Sequence, residues 1–589
     1  MRSMQRVVAG MAILVGVAFV APVQGQALDQ VPSNATGVFE VKDLQGLSTK
    51  IAKLAKTLGV DQMDPKFADP LASLMTGMGI KQGLNKNGDM AIAFFKPKKA
   101  EGAAPAADDA KSQEPPLVVV LPVDDYKAFL GNFTDVKDVG NDISEVVVPA
   151  NQEKLFVTHR GKYIVSTMTK ALLSNPGGFK LQGSALKEVA AKDALIYIDV
   201  KSLRPDLKDG YAKGRAEIKK ALDDPNNPVG VKVPPFVFAL YDKVAAELIN
   251  GTKSVSISFN LNDVGLGTAF MGDFESDSYL GKLVAQAKNS DKSLLAGLPD
   301  RPYLMYGDAT LTPEVAQSLF NEMATILKQS PGDMKKDDLD KYIEAARKSL
   351  AGMRSVSFGM VAPQAGENYF QIVELVQGDA KQMVAMTKEA MPFMNSMMNS
   401  TPKTKAEMKF GDQTTVDGVQ LTPYTMTFKF DEKDPMAAQE QQYMTMLYGP
   451  NGLMGNMGAV NDHTFISTMA VSPKLLAEAI AAAKSNADPL GQSDGLKVVA
   501  GQLPKLRGAE FYIALDNIAN TAVAVMKQQG LPVQFKLPPN LPPIGFSLAN
   551  DGSTARVDAF IPTRLVESMT AAVMQAMMQN NGNAGKGVE

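Results

Sequence analysis

The chain repeats itself, and a repeat constrains a fold more than any other feature of a sequence. Gly161-Lys-Tyr-Ile-Val-Ser-Thr-Met168 matches Asp462-His-Thr-Phe-Ile-Ser-Thr-Met469 through its Ser-Thr-Met triplet. Each is followed by a Leu pair, Leu172 with Leu173 and Leu475 with Leu476. Ala194-Leu-Ile-Tyr-Ile-Asp199 matches Ala509-Glu-Phe-Tyr-Ile-Ala514 and sets Tyr197 against Tyr512. Phe259-Asn-Leu-Asn-Asp-Val-Gly265 matches Phe546-Ser-Leu-Ala-Asn-Asp-Gly552. Two looser matches accompany them. Val38 to Leu44 resembles Tyr303 to Ala309, and Val118 to Asp124 resembles Phe370 to Asp379. The order is the same in both copies, so two similar halves are expected, at 28–292 and 298–580.

Each half reads as two smaller strand-helix-strand units. Asp89 to Phe95, Leu117 to Val123, Ser254 to Leu261, Ser355 to Val361 and Tyr369 to Val376 alternate or run apolar, as strands do. Thr312-Pro313-Glu314 is a helix start, with an N-cap hydroxyl before a proline at the first helical position. Ser472-Pro473 repeats the device. Asp43 precedes Leu44, Leu47, Ile51, Leu54 and Leu58, spaced three and four, and Gly59 terminates the run. The expected class is α+β, internally duplicated, with antiparallel sheets and helices packed on one face. Lys96 to Pro116 is rich in Ala, Lys, Asp and Pro without periodicity, and 96–116 is expected to be a disordered loop. The tail from Asn580, 581–589 above all, has the same character.

The first 27 residues read as a signal peptide. Arg2 and Arg6 form a basic start, and Val7 to Ala21 is apolar but short for a bilayer. Gly25 and Ala27 suggest cleavage before Leu28; Val23 and Gly25 would allow cleavage before Gln26. An exported chain is expected, periplasmic or extracellular. It contains no cysteine, which removes thiol nucleophiles, thiolate metal sites and lipid attachment through a cysteine. At 589 residues it is long enough to bury large cores without disulfides. A formal charge of −3 gives no electrostatic footprint for nucleic acid. No later stretch has the apolar length of a membrane helix.

Several motifs invite chemistry and are explained more simply. Gly491-Gln-Ser-Asp-Gly495 has the letters of a nucleophile elbow, which needs a strand before its serine and a helix after. Here a helix and a breaker run precede it, and no histidine follows. His159 and His463 are the two histidines and could share a metal only if the halves faced each other. Surface loops are the simpler reading. Ser184-Ala-Leu-Lys187 has the spacing of serine–lysine acyl enzymes but lacks their companion motifs, and Ser184 fits a helix cap. Asp273, Glu275 and Asp277 alternate and could hold calcium; Asp277 or Ser278 also fits the start of a helix.

Methionine is the compositional oddity. There are 33, most beyond residue 300, clustered at Met383 to Met398, Met444 to Met457 and Met569 to Met578. Thioethers suit Cu(I), an apolar groove, or an irregular core. The spacings of three to five on helices fit the core best.

The phrases Leu117-Val-Val-Val-Leu-Pro-Val-Asp-Asp-Tyr-Lys-Ala-Phe-Leu130, Leu295-Ala-Gly-Leu-Pro-Asp-Arg-Pro-Tyr303 and Gln30-Val-Pro-Ser-Asn-Ala-Thr-Gly-Val-Phe39 resemble a group of exported proteins of planctomycete-type bacteria. These proteins are internally duplicated and carry no assigned activity. The resemblance implies compartment and duplication and no site residue. With no catalytic set, no cofactor motif and no metal motif, the expected function is non-catalytic: an exported module binding another protein or an apolar ligand. An envelope hydrolase whose Asp, Ser and Lys groups meet only in three dimensions is one alternative. A copper carrier using the Met clusters is the other.

Overall fold

The structure is a computed structural model. It describes residues 27–96, 115–149, 151–223, 235–293, 295–329, 336–398, 404–430, 437–449, 452–528, 530–531 and 535–584. It divides into two compact units. The first takes the described residues up to Gly210 together with Ile249–Glu275, and the second takes Tyr211–Leu248 and everything from Ser276 onward. The stretch from Ser276 to Lys292, expected with the first half, therefore packs with the second. So does the segment Tyr211–Leu248, which lies between two strands of the first unit.

The first unit is one antiparallel sheet. Its strands are β1 (Gly37–Val41), β2 (Met90–Phe94), β3 (Leu117–Pro122), β4 (Thr134–Asp138), β5 (Ile143–Val147), β6 (Lys154–Arg160), β7 (Tyr163–Thr167), β8 (Ala194–Ile198), β9 (Thr252–Leu261) and β10 (Gly265–Phe274). They lie in the order β4-β5-β6-β7-β3-β2-β1-β8-β9-β10.

The second unit repeats that connectivity. Its strands are β11 (Tyr303–Thr310), β12 (Ser355–Val361), β13 (Gln371–Gln377), β14 (Thr404–Phe410), β15 (Thr414–Val416), β16 (Val419–Phe430), β17 (Leu453–Ala459), β18 (Thr464–Met469), β19 (Ala509–Ile513), β20 (Ile544–Asp551) and β21 (Thr554–Pro562). β14 and β15 together occupy the place of β4. From there the order runs β16-β17-β18-β13-β12-β11-β19-β20-β21.

Strand pairing fixes which residues are equivalent. Thr167 pairs with Val118 as Thr468 pairs with Val373, so the Ser-Thr-Met match holds residue for residue. Tyr197 pairs with Val38 as Tyr512 pairs with Tyr306. The third match holds at the level of the hairpin but is displaced by two residues. Ala194 faces Phe259 where Ala509 faces Leu548, not Phe546. An even displacement leaves the side chains on the same face of the sheet, so the pattern survives it. The looser match at β1 is displaced by three. Val38 belongs with Tyr306, and Glu40 with Asp308, rather than Val38 with Tyr303.

The helix starts are made as their residues dictate. The Asp43 carboxylate accepts from the Gly46 N–H at the start of Leu44–Leu58, and Gly59 closes that helix at φ 69°, a left-handed conformation that favours glycine. Thr312 Oγ1 accepts from the Val315 N–H before the helix Pro313–Gln329. Ser472 Oγ accepts from the Leu475 N–H before Pro473–Ser485. In the first unit one face of the sheet is covered by Leu44, Leu47, Ile51, Leu71, Met75 and Phe129 from helices, packed on Phe39, Val41, Ile92 and Ile164. Each such side chain contributes about 1.5–3 kcal/mol when fully buried. The other face is closed by Ala27, Leu28 and Val31 and by Leu173, Phe179 and Leu181, packed on Val38, Val120 and Tyr197. In the second unit Leu475, Leu476, Ile480, Leu496 and Val499 cover the face bearing Tyr306 and Tyr512. Met383 and Val384, from the helix Ala380–Met398, cover part of the opposite face around Val356, Val376, Met457 and Phe465.

Residues 97–114, most of the segment expected to be a disordered loop, lie outside the described residues, as do 585–589. The helix Thr563–Ala584 runs through the first part of the expected loose tail, 581–584 included. Apolar residues every three or four positions, from Leu565 to Ala572, carry it past the point where composition turns polar. Among the described residues no helix is long and apolar enough to cross a membrane.

Candidate functional site

The opposite face of the second sheet continues beyond the helix Ala380–Met398 as an apolar surface. Cross-strand pairing puts Met305, Met360, Ile372 and Ile513 in one row and Phe358, Gly307 and Phe511 in the next. Phe546 follows Phe511 on β20. The rings of Phe358 and Phe511 stack at 5.9 Å, and those of Phe511 and Phe546 approach to 6.2 Å. Gly307 lies between the first two, and a Cβ there would meet the Phe511 ring at 2.9 Å. The glycine lets the aromatic rings close over the central strand. All three rings are half-buried, and Leu548 and Val557 extend the same face to 47% and 42% exposure. Aromatic and sulfur-bearing side chains left in this state are the composition of an adaptable binding surface.

One carboxyl sits in this face. Glu374 is paired across the strands with Phe358 on one side and Ser467 on the other. Burial alone raises its carboxyl above the ordinary carboxylate range. It has no ion-pair partner among the described residues. In its protonated form this carboxyl offers one hydrogen-bond donor and an acceptor beside the aromatic row.

A second group of titratable residues lies on the covered face and is sealed. Asp308 on β11 faces Glu510 on β19, at 6% and 4% exposure. Arg507 pairs with Glu510, and Tyr512 donates to the same carboxylate at 2.6 Å. Burial and the neighbouring Glu510 hold Asp308 well above the usual carboxylate range. The first unit has the counterpart at Glu40, 2% exposed, whose carboxyl is pushed up to about 8 by burial and by Asp89.

The motifs singled out in the sequence are not brought into one site. Ser493 precedes the short helix Asp494–Ala500, and a helix and turn come before it, so the strand-turn-helix of a nucleophile elbow is not formed. Ser184 precedes the helix Ala185–Glu188 but does not cap it with its side chain. Its hydroxyl donates to Asp273 at 3.0 Å, as does that of Ser254. Asp273, which could have held calcium with Glu275 and Asp277, is buried and takes these two hydroxyls. Glu275 pairs with Lys201 at 3.1 Å, and Ser278 rather than Asp277 caps the helix Tyr279–Gln286. His159 is on β6 rather than in a loop, stacked on Tyr126 at 4.5 Å and 9°. His463 lies in the turn before β18. Met383 and Met457 are core residues, and Met394, Met408, Met426 and Met469 pack with Tyr424 and Leu453. Among the described residues, no three His, Asp or Glu side chains come together as metal ligands do.

Glu374, Glu40 and Asp308 were missed in the sequence. Each is a lone acid inside an apolar strand, as in Ile372-Val-Glu-Leu-Val376, and that interruption is the signal that could have found them.

No family model and no curated protein matches the chain. Among solved structures it is similar to TP0453 in three crystal forms. Form III is 12% identical with a TM-score of 0.21, covering 47% of this chain and 91% of that one. Form IV is 12% identical at 0.20, covering 43% and 81%. Form I is 11% identical at 0.21, covering 43% and 80%. Likenesses at such scores carry no argument about function.

Proposed function

We propose that this is an exported, non-catalytic binding protein whose second unit takes an apolar ligand on the Phe358–Phe511–Phe546 face. The observation that carries this reading is the stacked aromatic row itself, half-buried over a glycine, with exposed Leu548 and Val557 at its edge. A ligand covering it removes apolar area from water at roughly 25 cal/mol per Å². Glu374 gives the surface one polar anchor, so an apolar body with a single hydrogen-bonding end fits best. The sealed acids of the covered face have no access to a substrate and act on stability.

The test is titration with an environment-sensitive apolar fluorophore such as a naphthalene sulfonate or an anthroyl-labelled acyl chain. Saturable binding near one site per chain is expected, lost in Phe511→Glu with the far-ultraviolet spectrum retained. Binding that is unchanged in that variant refutes the reading.

A further inference from the structure

The helix Pro313–Gln329 has four sides, and its contacts identify three of them. At about 3.6 residues per turn, Phe320, Ala324 and Leu327 share one side. They pack on Leu339, Ile343 and Ala346 of the helix Lys336–Gly352. The opposite side carries Ser318 and Glu322. The Ser318 carbonyl accepts from the Tyr279 hydroxyl at 3.4 Å, and Glu322 pairs with Lys243 at 3.7 Å. The third side is polar. Glu314, Asn321, Thr325 and Lys328 are exposed there, and Asn321 and Lys328 reach Arg347 and Asp340. The fourth side, turned away from the polar one, is Val315, Leu319, Met323 and Ile326.

The neighbours of this helix rest on the sheet at both ends of the aromatic row. Lys336–Gly352 packs on Ala380–Met398 through Phe393, and Ala380–Met398 covers Val376 and Met457. Tyr279–Gln286 packs on β20 and β21. Pro313–Gln329 lies between them and turns its fourth side to the sheet. Val315 and Ile326 are buried there at 9% and 6%, yet Leu319 and Met323 between them are 46% and 41% exposed. Among the described residues, the core that holds this helix includes no residue of the sheet. Apolar side chains that face the protein and are still reached by solvent mark a gap between helix and sheet.

The first unit shows what fills such a gap. Its helix Leu44–Leu58 lies between β1 and β2 as Pro313–Gln329 lies between β11 and β12. There Leu44, Leu47 and Ile51 descend onto Phe39 and Ile92, whose places are taken in the second unit by Gly307 and Phe358. The floor of the gap is straight. Glu374, Phe358, Gly307, Phe511, Phe546 and Ala559 are successive cross-strand partners. Five steps of about 4.8 Å make this row roughly 24 Å long, with the carboxyl at one end.

We propose that the ligand lies between Pro313–Gln329 as roof and the aromatic row as floor, and that it is a long-chain aliphatic compound with an uncharged hydrogen-bonding end, such as an alcohol. Its body takes the place that Leu44, Leu47 and Ile51 fill in the first unit. Its polar end meets Glu374, and Leu319 and Met323 contact it from the helix side. The proposal rests on the Phe358–Phe511–Phe546 face being the binding surface, and adds a second wall and a ligand class to it.

The experiment titrates the full chain with tetradecanol delivered from cyclodextrin. The chain has no cysteine, so Met323→Cys carries a single bimane label. Its emission should shift to the blue on saturation, while a label at Thr325→Cys, on the polar side, should not respond. Leu319→Glu/Met323→Glu should weaken binding by roughly tenfold or more, because it sets charges against the aliphatic chain. Leu319→Phe/Met323→Phe should also weaken binding while raising the Tm of the free protein, because the rings fill the gap. A merely structural helix would not couple those two changes. Binding unchanged in both double variants, or a silent label at Met323→Cys, with binding still lost in Phe511→Glu, refutes the roof and leaves the face standing. No saturable binding, or binding indifferent to Phe511→Glu, overturns both readings.

Discussion

Glu40 and Asp308 occupy the same position in two copies of one sheet. Glu40 faces Ala91 and Leu195 on its neighbouring strands, and Asp308 faces Ser357 and Glu510 on theirs. Each is a buried acid on the central strand of its unit, and each is held above its ordinary pKa by burial first. The two units solve the same electrostatic problem with different neighbours, and this makes the problem accessible to substitution.

Asp308 takes up a proton on folding, because its carboxyl titrates higher in the folded chain than in the unfolded one. The stability it contributes is full below the unfolded carboxylate value and falls as pH rises towards the folded value. Asp308→Asn should remove that slope. Thermal unfolding from pH 4.5 to 8 should show wild type losing Tm with rising pH more steeply than the variant. Parallel profiles would mean that Asp308 is ionised in the fold.

Arg507 answers the charge of Glu510, which is 4% exposed. Arg507→Met leaves that carboxylate buried without its cation and should cost about 3–5 kcal/mol, read from urea unfolding. Adding Glu510→Gln to it should recover a large part of the loss, whereas a merely additive double variant would exclude the pairing as the cause.

Glu374 should make ligand binding depend on pH. Burial raises its carboxyl, so the neutral form persists upward from the ordinary carboxylate range. Ionisation then places a charge in the apolar face, and the Kd of a neutral apolar probe should rise with pH. Glu374→Leu should bind more tightly and give a flat profile. A wild-type profile that is already flat would remove Glu374 from the site.

Met457 is 1% exposed and packs with Met383 and Phe465. As a packing residue it should tolerate Met457→Leu at less than about 1.5 kcal/mol. Met457→Ala should cost about 2–5 kcal/mol through the cavity it leaves. Calorimetry of both variants with and without Cu(I) separates packing from ligation, because a metal role would make Met457→Leu lose a copper-dependent rise in Tm.

The duplication, the strands and the helix starts were legible in the sequence because they are written in local signals. The Ser-Thr pairs of the two triplets lie on β7 and β18 at identical register. Asp43, Thr312 and Ser472 cap the helices they were expected to cap. At β1 the structural equivalence lies three residues from the sequence match, since Val38, Tyr303 and Tyr306 look alike as apolar strand residues and only pairing to β8 and β19 distinguishes the alignments.

What the sequence alone determined is therefore the repeat and its alternating faces, since side-chain alternation along a strand and a capping oxygen act within a few residues. Tertiary structure decided which face is sealed and which is left half-open. Phe358, Phe511 and Phe546 are far apart in the chain and become one surface only when β12, β11, β19 and β20 pair around Gly307. In the same way Ala27, Glu40, Asp89 and Tyr163 meet only through strand pairing and core closure. Burial and charge are properties of a neighbourhood, and the chain acquires its neighbourhoods only by folding.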